Sequence, residues 1–308
     1  MNVFLWHVHG SWTTAFVHGR NRYLVPVLPD RGPDGRGRAE AYEWPDSVVE
    51  VTPEEAATAQ VDVVILQRPA EFAHLAACWL GGRRPGVDLP AVYLEHNSPQ
   101  GRIAEMRHPA ADRPELTIVQ VTNFNRLFWD TGCTPVRVIE HGVVDPGHLY
   151  DGELPRAGAA INEPGRRGRV VGADLLPDLS RTLPIDVFGI GTDNDLPQWR
   201  LHQELARRRV YVHPYRWTSL GLALIEAMQI GLPVVALATT EVPEAVPAAA
   251  GYVSNRLDTL HGGLRRLAAD PALAREMGQA AREHALRRYG LARFLDDWQQ
   301  LLEEVVDR

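Results

Sequence analysis

The sequence contains no lysine and only two cysteines among its 308 residues. Cys78 and Cys133 stand alone in apolar or turn contexts, which argues against a disulfide framework or a cysteine metal cluster. We expect such isolated cysteines to be buried and the protein to occupy a reducing compartment. All basic residues are arginines scattered between acidic residues, and the net charge is −7. This pattern favours neither nucleic-acid binding nor a polybasic membrane surface.

Long apolar runs are also missing. The N-terminal stretch MNVFLWHVHG has no basic leader region and reaches a histidine at position seven. No apolar run approaches the ~18 residues that a transmembrane helix requires. The sequence therefore predicts a cytoplasmic protein without a transmembrane segment. Its length and apolar content suffice for two domains with separate cores. The expected partner is a small molecule or a peptide-like group, and the oligomeric state stays open.

Short runs rich in valine and isoleucine recur through the first half of the chain, with helix-length segments such as 53–60 and 71–80 between them. The runs are VFLWHV, YLVPVL, VDVVIL, AVYLEH, TIVQVT and VRVIEH. Strands that alternate with helices in this way are typical of a mostly parallel sheet covered on both faces. We therefore expect an α/β domain in this half.

The second half repeats the alternation after a break. Residues 145–158, DPGHLYDGELPRAG, are rich in glycine and proline, so we place the domain boundary there, with domains 1–150 and 151–308. The strand candidates that follow are AGAAIN, IDVFGI, RVYVHP, LPVVAL and GYVSN. The last segment carries apolar residues at helical spacing, and we expect it to pack on a domain surface. These residues are Leu291, Phe294, Leu295, Trp298, Leu301, Leu302 and Val305.

One segment of the second half, RVYVHPYRWTSLGLALIEAMQIG, predicts a strand, a loop and a helix. Thr218 or Ser219 would cap the start of the helix, and Gly231 would lie just past its end. Ligands of α/β sheets bind beyond the carboxyl ends of the strands, and a helix N-terminus there suits a phosphate, which Gly221 lets approach closely. Glu226 has no arginine at neighbouring helical positions, so a group outside the helix should meet it. A ribose fits, and a glutamate that leans out to solvent is the alternative.

The same segment resembles the donor-binding domain of retaining GT-B glycosyltransferases, the glycosyl transferases group 1. Their signature is E-x7-E followed by A-M-A-x-G-x-P-V-V. The second glutamate matches Glu226, whereas the position of the first holds Thr218. The rest of the match consists of Ala227, Met228, Gly231, Pro233, Val234 and Val235. The resemblance extends loosely over nearly the whole chain and is strongest over 209–254.

The resemblance implies an α/β GT-B fold, in which two Rossmann-like domains face each other across a cleft. Domain 1–150 would lie on the acceptor side, and domain 151–308 would bind the donor nucleotide sugar. The C-terminal helix would cross over and pack back toward the N-terminal domain.

The resemblance also implies roles for individual residues. Glu226 would bind the ribose, His96 would lie close to the transferred sugar, and Thr218 would offer a hydroxyl where the family has a carboxylate, so His96 and Thr218 are the catalytic candidates. The donor-binding candidates are Gly10, Ser11, Arg166, Arg169, Tyr215, Ser219, Leu220, Gly221 and Glu226. Arg166, Arg167 and Arg169 occupy the place of the family's basic pair, and which of them reaches the phosphate stays open.

The implied reaction is transfer of a sugar from a nucleoside diphosphate sugar to a hydroxyl acceptor with retention of configuration. We expect no cofactor and no metal ion, since arginines and a helix N-terminus can neutralise a diphosphate and no D-x-D motif is placed in the nucleotide site. The sugar, the base and the acceptor stay open. A catalytically silent module that binds a nucleotide sugar or a partner, and a sugar-nucleotide epimerase, are the alternatives.

Overall fold

The structure, a computed structural model, describes residues 1–40 and 42–308, which form two compact units. The first unit comprises Met1–Gly142 and Leu291–Arg308, and the second comprises Val143–Gly290. The chain passes from the first unit to the second at Val143, before the boundary that we placed after Tyr150. Tyr150 belongs with the second unit because its backbone N–H donates to the Ile230 carbonyl at 3.2 Å and its hydroxyl donates to the Arg209 carbonyl at 2.9 Å.

The first unit contains a seven-stranded parallel sheet with the order β3-β2-β1-β4-β5-β6-β7. Its strands are β1 Asn2–Leu5, β2 Arg22–Pro26, β3 Val48–Val51, β4 Val63–Leu66, β5 Ala91–Glu95, β6 Thr117–Gln120 and β7 Val136–Val138. The expected parallel sheet is therefore present. Because the strand order reverses next to β1, the carboxyl ends of β1 and β4 border the crevice where ligands of such sheets bind.

Short helices connect these strands. They are α1 Gly10–Phe16, α2 Pro53–Thr58, α3 Ala76–Trp79 and α4 Asn123–Phe128, with a π-helical turn at Glu71–Leu75 and a 3₁₀ turn at Ile103–Glu105. Both predicted helices are found, since 53–60 contains α2, and 71–80 contains the π-helical turn followed by α3. Thr52 and Glu55 form a capping box at α2, which accounts for its sharp start.

The second unit contains a five-stranded parallel sheet with the order β12-β11-β10-β8-β9. Its strands are β8 Leu154–Ala160, β9 Ile185–Phe188, β10 Arg208–His213, β11 Val234–Ala236 and β12 Gly251–Val253. All five predicted strands are confirmed. The β10 strand lies between β8 and β11, so the loops after β8 and β10 emerge side by side at the carboxyl edge.

Seven helices of the second unit cover this sheet within the described residues. They are α5 Pro164–Arg167, α6 Leu176–Leu179, α7 Gln198–Ala206, α8 Leu222–Ile230, α9 Val242–Ala245, α10 Leu257–Ala269 and α11 Pro271–Tyr289, and 3₁₀ turns lie at Gly168–Val171 and Ala173–Leu175. Apolar side chains of α7, α8 and α11 pack into one core of this unit, and those of α10 pack into another.

For α8, the predicted C-terminal end is confirmed and the predicted N-terminal cap is wrong. Gly231 ends the helix in the left-handed conformation with φ 104°, as expected for a glycine just past a helix end. The predicted cap by Thr218 or Ser219 is wrong, because α8 begins at Leu222 with Gly221 at the N-cap position and no side chain caps it. The chain before Gly221 is instead held as a loop, since the backbone N–H groups of 216 and 217 donate to the carbonyl of 170.

The last helix, α12, spans Leu291–Val306 and is amphipathic as predicted. Phe294 and Trp298 are fully buried in the first unit. Their rings make edge-to-face contacts with Trp12, at centroid distances of 6.2 and 5.5 Å. A buried phenylalanine contributes about 1.5–3 kcal/mol. The chain thus returns to the first unit through a helix that completes its core.

Two further expectations concern the cysteines and membrane spans. Cys78 and Cys133 are exposed free thiols, so the expectation that they are buried is wrong. Cys78 lies on the outer side of α3 and Cys133 lies in a turn, where the apolar core is out of reach. Within the described residues, no helix combines the length and the apolar character needed to cross a membrane.

Candidate functional site

In the second unit, four of the predicted site residues, Tyr215, Thr218, Ser219 and Leu220, lie in the loop between β10 and α8. Tyr215 is buried, its hydroxyl donates to the Ala160 carbonyl at 3.1 Å, and its ring stacks on His213 at a centroid distance of 4.5 Å. Ser219 and Leu220 are also buried, and the Leu220 side chain belongs to the apolar core. Leu220 could therefore meet a ligand through its backbone alone.

The start of α8 combines backbone donors with a close packing contact. No side chain caps this end, so the first N–H groups of the helix are not occupied by a capping side chain. A Cβ atom on Gly221 would lie 3.0 Å from Cε1 of His213, so a larger residue would push against a buried ring. Backbone donors at a helix N-terminus attract anions, and this end of α8 can accept a phosphate.

His213 is an uncharged part of this site. It lies at the end of β10 and is fully buried, and neither ring nitrogen has a hydrogen-bond partner among the described residues. Burial lowers the pKa of His213 to about 3, because the charged imidazolium would lose its hydration there. The ring beside the start of α8 is therefore neutral at physiological pH.

Glu226 is met from outside its helix, as the sequence suggested, and its partners are protein groups on α7. Gln198 donates its amide N–H to Oε1 at 3.1 Å, and the Nε2 atom of His202 lies 3.1 Å from Oε2. Glu226 is buried, so the alternative of a solvent-facing glutamate is wrong. Each carboxylate oxygen has a second lone pair, so Glu226 retains the capacity to accept two further hydrogen bonds.

Two of the three candidate arginines after β8 form ion pairs with acidic neighbours. Nε of Arg166 lies 2.9 Å from Oε1 of Glu163, and Nη1 of Arg169 lies 3.0 Å from Oδ2 of Asp174. The hydrogen bond from Arg166 lowers the pKa of Glu163. Both arginines are exposed, and such pairs contribute little to stability, so each can exchange its partner at small cost.

The third arginine, Arg167, forms no ion pair within the described residues. Its guanidinium carbon lies 5.8 Å from the centroid of the Tyr215 ring, where a cation–π contact holds it. The two loops are also joined by Arg216, which pairs with Asp174 at 2.9 Å. The structure thus brings Arg167 to the loop before α8, and Arg169 is joined to the same loop through its carbonyl, which accepts from Arg216 at 2.8 Å.

In the first unit, His96 follows β5 and lies in a group of histidines. The centroid of its ring is 3.9 Å from that of His9 and 6.4 Å from that of His141. Burial is the main cause that holds the pKa of His96 well below its usual value, and the electrostatic effect of His9 and His141 lowers it further. Burial also lowers the pKa of His9 to about 4 and the pKa of His141 to about 3. The three imidazoles are therefore neutral at physiological pH.

Sequence reasoning selected His96 but not His9, which lies beside it. The position of His9 in the sequence could have indicated it, because His9 follows β1 and His96 follows β5, and both strands flank β4. The neighbours Gly10 and Ser11 begin α1, and the hydroxyl of Ser11 lies 3.2 Å from that of Tyr42. Gly10, Ser11 and His96 thus lie at one edge of the first sheet, while the other candidates lie in the second unit.

The described residues offer no metal-binding cluster. Within residues 1–40 and 42–308, no three His, Cys, Asp or Glu side chains are arranged to coordinate a metal ion. In the second unit, backbone donors and Arg167 can bind anions, and Glu226 can accept hydrogen bonds from hydroxyl groups. In the first unit, the neutral histidines can form hydrogen bonds with hydroxyl groups.

Comparisons with known proteins support this description at two levels. The sequence profile of the family described as Glycosyl transferases group 1 matches residues 190–284, which include the start of α8 and Glu226. No curated protein sequence matches the chain.

Several solved structures share the fold. The Anabaena protein HepE superposes with a TM-score of 0.70 at 13% identity, over 98% of this chain and 99% of its own, and it was solved with UDP. A sucrose-phosphate synthase of Thermosynechococcus elongatus gives 0.69 at 14% identity, over 99% of this chain and 98% of its own. TarM superposes with a TM-score of 0.60 at 15% identity over 78% of this chain. The chain spans about half the length of TarM, 54%. The chain therefore has the α/β GT-B fold.

Proposed function

We propose that this protein is a retaining glycosyltransferase that moves a sugar from a nucleoside diphosphate sugar to a hydroxyl acceptor. The family match over 190–284 and the GT-B fold support transfer of a sugar. The observation that carries the proposal is the arrangement around α8. Its uncapped start and the buried carboxylate of Glu226 lie within one matched segment, as a diphosphate joined to a ribose requires.

The donor nucleotide is bound by the second unit in this proposal. The ribose hydroxyls donate to Glu226, and Gln198 and His202 hold its carboxylate in place from α7. The diphosphate lies at the start of α8, where Arg167 adds a positive charge. HepE binds UDP in its crystal structure, which favours a uridine nucleotide as the first donor to test.

The reaction then depends on positioning and electrostatics. As the bond between the sugar and the diphosphate breaks, negative charge develops on the phosphate oxygens, and the helix N-terminus and Arg167 stabilise it. The acceptor hydroxyl attacks from the same face and passes its proton to the leaving diphosphate, so configuration is retained and no protein base is required. Thr218 donates a hydrogen bond to the donor, and His96 contacts the transferred sugar. No metal ion takes part in this proposal.

A catalytically silent protein that binds nucleotide sugars is the second candidate. It is favoured by Thr218, a neutral residue in place of the first glutamate of the signature. Hydrolysis of the donor in the absence of an acceptor separates the two candidates, because a silent protein releases no free diphosphate.

The proposal is tested by binding and then by transfer. Nucleoside diphosphates are screened for thermal stabilisation, and a ligand at ~100 times its dissociation constant adds about 2.7 kcal/mol to the free energy of unfolding. The corresponding nucleotide sugars are then incubated with hydroxyl acceptors in the presence and absence of EDTA. We expect a product with the anomeric configuration of the donor in both. An inverted product, a requirement for metal or an altered free nucleotide sugar would contradict the proposal.

A further inference from the structure

A single buried carboxylate joins the two ends of the loop that follows β5. Glu95 is the last residue of β5, and its Oε1 accepts a hydrogen bond from the backbone N–H of Asn97 at 2.7 Å. Its Oε2 lies 3.1 Å from Nε2 of His108. The side chains of Glu95 and His108 are buried. The loop 97–108 therefore begins and ends at the same side chain.

The backbone next to His108 decides which atoms donate in this contact. Nδ1 of His108 accepts a hydrogen bond from the backbone N–H of Ala110 at 3.1 Å, so Nδ1 carries the lone pair. The proton of the neutral ring consequently lies on Nε2, which donates a hydrogen bond to Glu95. Each polar atom of these two side chains thus has a partner, and the contact needs no other group to complete it.

Aromatic packing holds the same two ends of the loop. The ring of His108 makes edge-to-face contacts with Tyr93 and Trp129, at centroid distances of 4.7 and 5.2 Å. The indole N–H of Trp129 also donates to the carbonyl of Asn97 at 2.8 Å. The base of the loop is therefore fixed at both ends, and joined ends of this kind are typical of compact surface loops.

The middle of the loop is exposed, unlike its base. Gln100, Arg102, Ala104 and Glu105 are exposed around the 3₁₀ turn, and Arg102 pairs with Glu105 inside the loop itself. The loop leaves β5 at the carboxyl edge of the sheet, where ligands of parallel sheets bind, and only β4 separates β5 from β1. A fixed base that presents exposed polar groups at this edge is suited to bind a ligand.

We propose that the loop 97–108 binds the hydroxyl acceptor and that Glu95 and His108 are positioning residues that hold the loop in its binding conformation. The closed base of the loop follows from the contacts of Glu95. The choice of ligand rests on the proposed function, in which the second unit binds the donor nucleotide. A loop at the ligand-binding edge of the first sheet then serves the second substrate.

Limited trypsin digestion of the full chain tests the closed base independently of activity. Arg102 is exposed in the middle of the loop, so cleavage after it reports how often the loop opens. In Glu95→Gln the amide cannot keep both hydrogen bonds, because it has one accepting oxygen and its N–H groups would face the N–H of His108. We expect cleavage after Arg102 to become about tenfold faster. Glu54→Gln, the same change at an exposed position of α2, is the matched control and should leave the rate unchanged.

An unchanged rate of cleavage in Glu95→Gln would overturn the closed base. If this variant fails to fold, amide hydrogen exchange of the wild type decides the question. We expect the N–H of Asn97 to exchange slowly and those of Gln100 and Ala104 to exchange quickly, because only the base is held. Fast exchange at Asn97 would overturn the assignment.

Transfer kinetics test the acceptor role. In Glu95→Gln we expect the KM for the acceptor to rise about tenfold, with the KM for the donor changed less than about twofold. A second variant, in which glycine and serine replace 100–105, keeps the base and should raise the acceptor KM in the same way. An unchanged acceptor KM in either variant, or a larger change in the donor KM, would overturn the acceptor role. A wild type that transfers no sugar would refute the proposed function, while the digestion result would still decide the closed base.

Discussion

At the scale of single residues, the site depends on a few polar groups whose partners decide what each can bind. Glu226 is buried, and within the described residues it has two side-chain partners, one on each oxygen, so it can still accept hydrogen bonds from hydroxyl groups. Arg166 forms a direct ion pair with Glu163, whereas Arg167 interacts with Glu163 only through its charge and packs against the Tyr215 ring. These differences lead to three predictions.

The first prediction concerns the ribose. Glu226→Gln should weaken the binding of a nucleoside diphosphate by about 1.5–3 kcal/mol, because a charge-assisted hydrogen bond is lost. Isothermal titration calorimetry with UDP and with its 2′,3′-dideoxy analogue measures the effect. The analogue should bind the variant and the wild type equally, and an equal loss for both ligands would remove the ribose assignment.

The second prediction separates the arginines. Arg167→Ala should lower the affinity for the diphosphate by about 10- to 150-fold, since a hydrogen bond to a charged group contributes about 1.5–3 kcal/mol. The affinity for the free nucleoside should stay unchanged. Arg166→Ala is the matched control, one residue away on the same short helix, and should change both affinities little. A larger loss in the control would assign the phosphate to Arg166.

The third prediction concerns Thr218, which decides between an enzyme and a silent protein. Thr218→Val keeps the shape and removes the hydroxyl, so turnover should fall by about tenfold or more, as loss of ~1.4 kcal/mol of transition-state stabilisation implies. Circular dichroism should show an unchanged fold. Transfer kinetics equal to the wild type would mean that the hydroxyl has no part in the reaction.

At the scale of elements, α8 positions both parts of the donor site. Gly221 begins it beside the buried His213, and Gly231 ends it with φ 104°. The end matters because a Cβ on Gly231 would lie 2.7 Å from the His148 ring. Both glycines are therefore required by the packing of the helix termini.

The fourth prediction tests this end. Gly231→Ala should destabilise the protein by about 1–3 kcal/mol, because alanine is strained at positive φ and its methyl group would displace His148. Thermal unfolding measures the loss. Gly165→Ala is the control and should leave the melting temperature nearly unchanged. Gly165 has an ordinary φ, and apart from its own chain neighbours and helix backbone, no described atom lies within 4 Å of the added methyl group. Equal melting temperatures for the two variants would contradict the strain.

At the scale of the whole molecule, the chain forms two units with separate apolar cores. The last eighteen residues, 291–308, complete the first unit, although they follow the second in the sequence. The donor candidates, apart from Gly10 and Ser11, all lie in the second unit. Damage to the core of the first unit should therefore leave the nucleotide site able to bind.

The fifth prediction follows from this division. Trp298→Ala removes a fully buried ring from the first unit and should cost about 3–5 kcal/mol of its stability. Differential scanning calorimetry should show the first unit unfolding at lower temperature. Saturating nucleoside diphosphate should still stabilise the second unit as it does in the wild type, and loss of that stabilisation would contradict independent nucleotide binding.

The sequence alone predicted the local structure well. All five strands of the second unit, the amphipathic α12 and the left-handed Gly231 follow from residue type and spacing, since each depends on neighbours along the chain. The predicted start of α8 was wrong because hydrogen bonds from the loop to the carbonyl of 170 outweighed the capping tendency of Thr218 and Ser219. No local sequence pattern encodes these hydrogen bonds.

Only the tertiary structure decided which groups meet within each unit. Glu226 meets side chains from α7, Arg167 meets Tyr215 across two loops, and His96 meets Gln67 and His9 from two other strand ends. These partners are distant in the sequence, and no residue spacing fixes their separation. The sequence determined that arginines and a histidine would follow strands at the carboxyl edges of two parallel sheets, because parallel strands bring their following loops together, and that Glu226 would lie on the helix after β10. The packing of helices and loops on those sheets then chose the partner of each group, and with it the charge and the hydrogen-bonding capacity of the site.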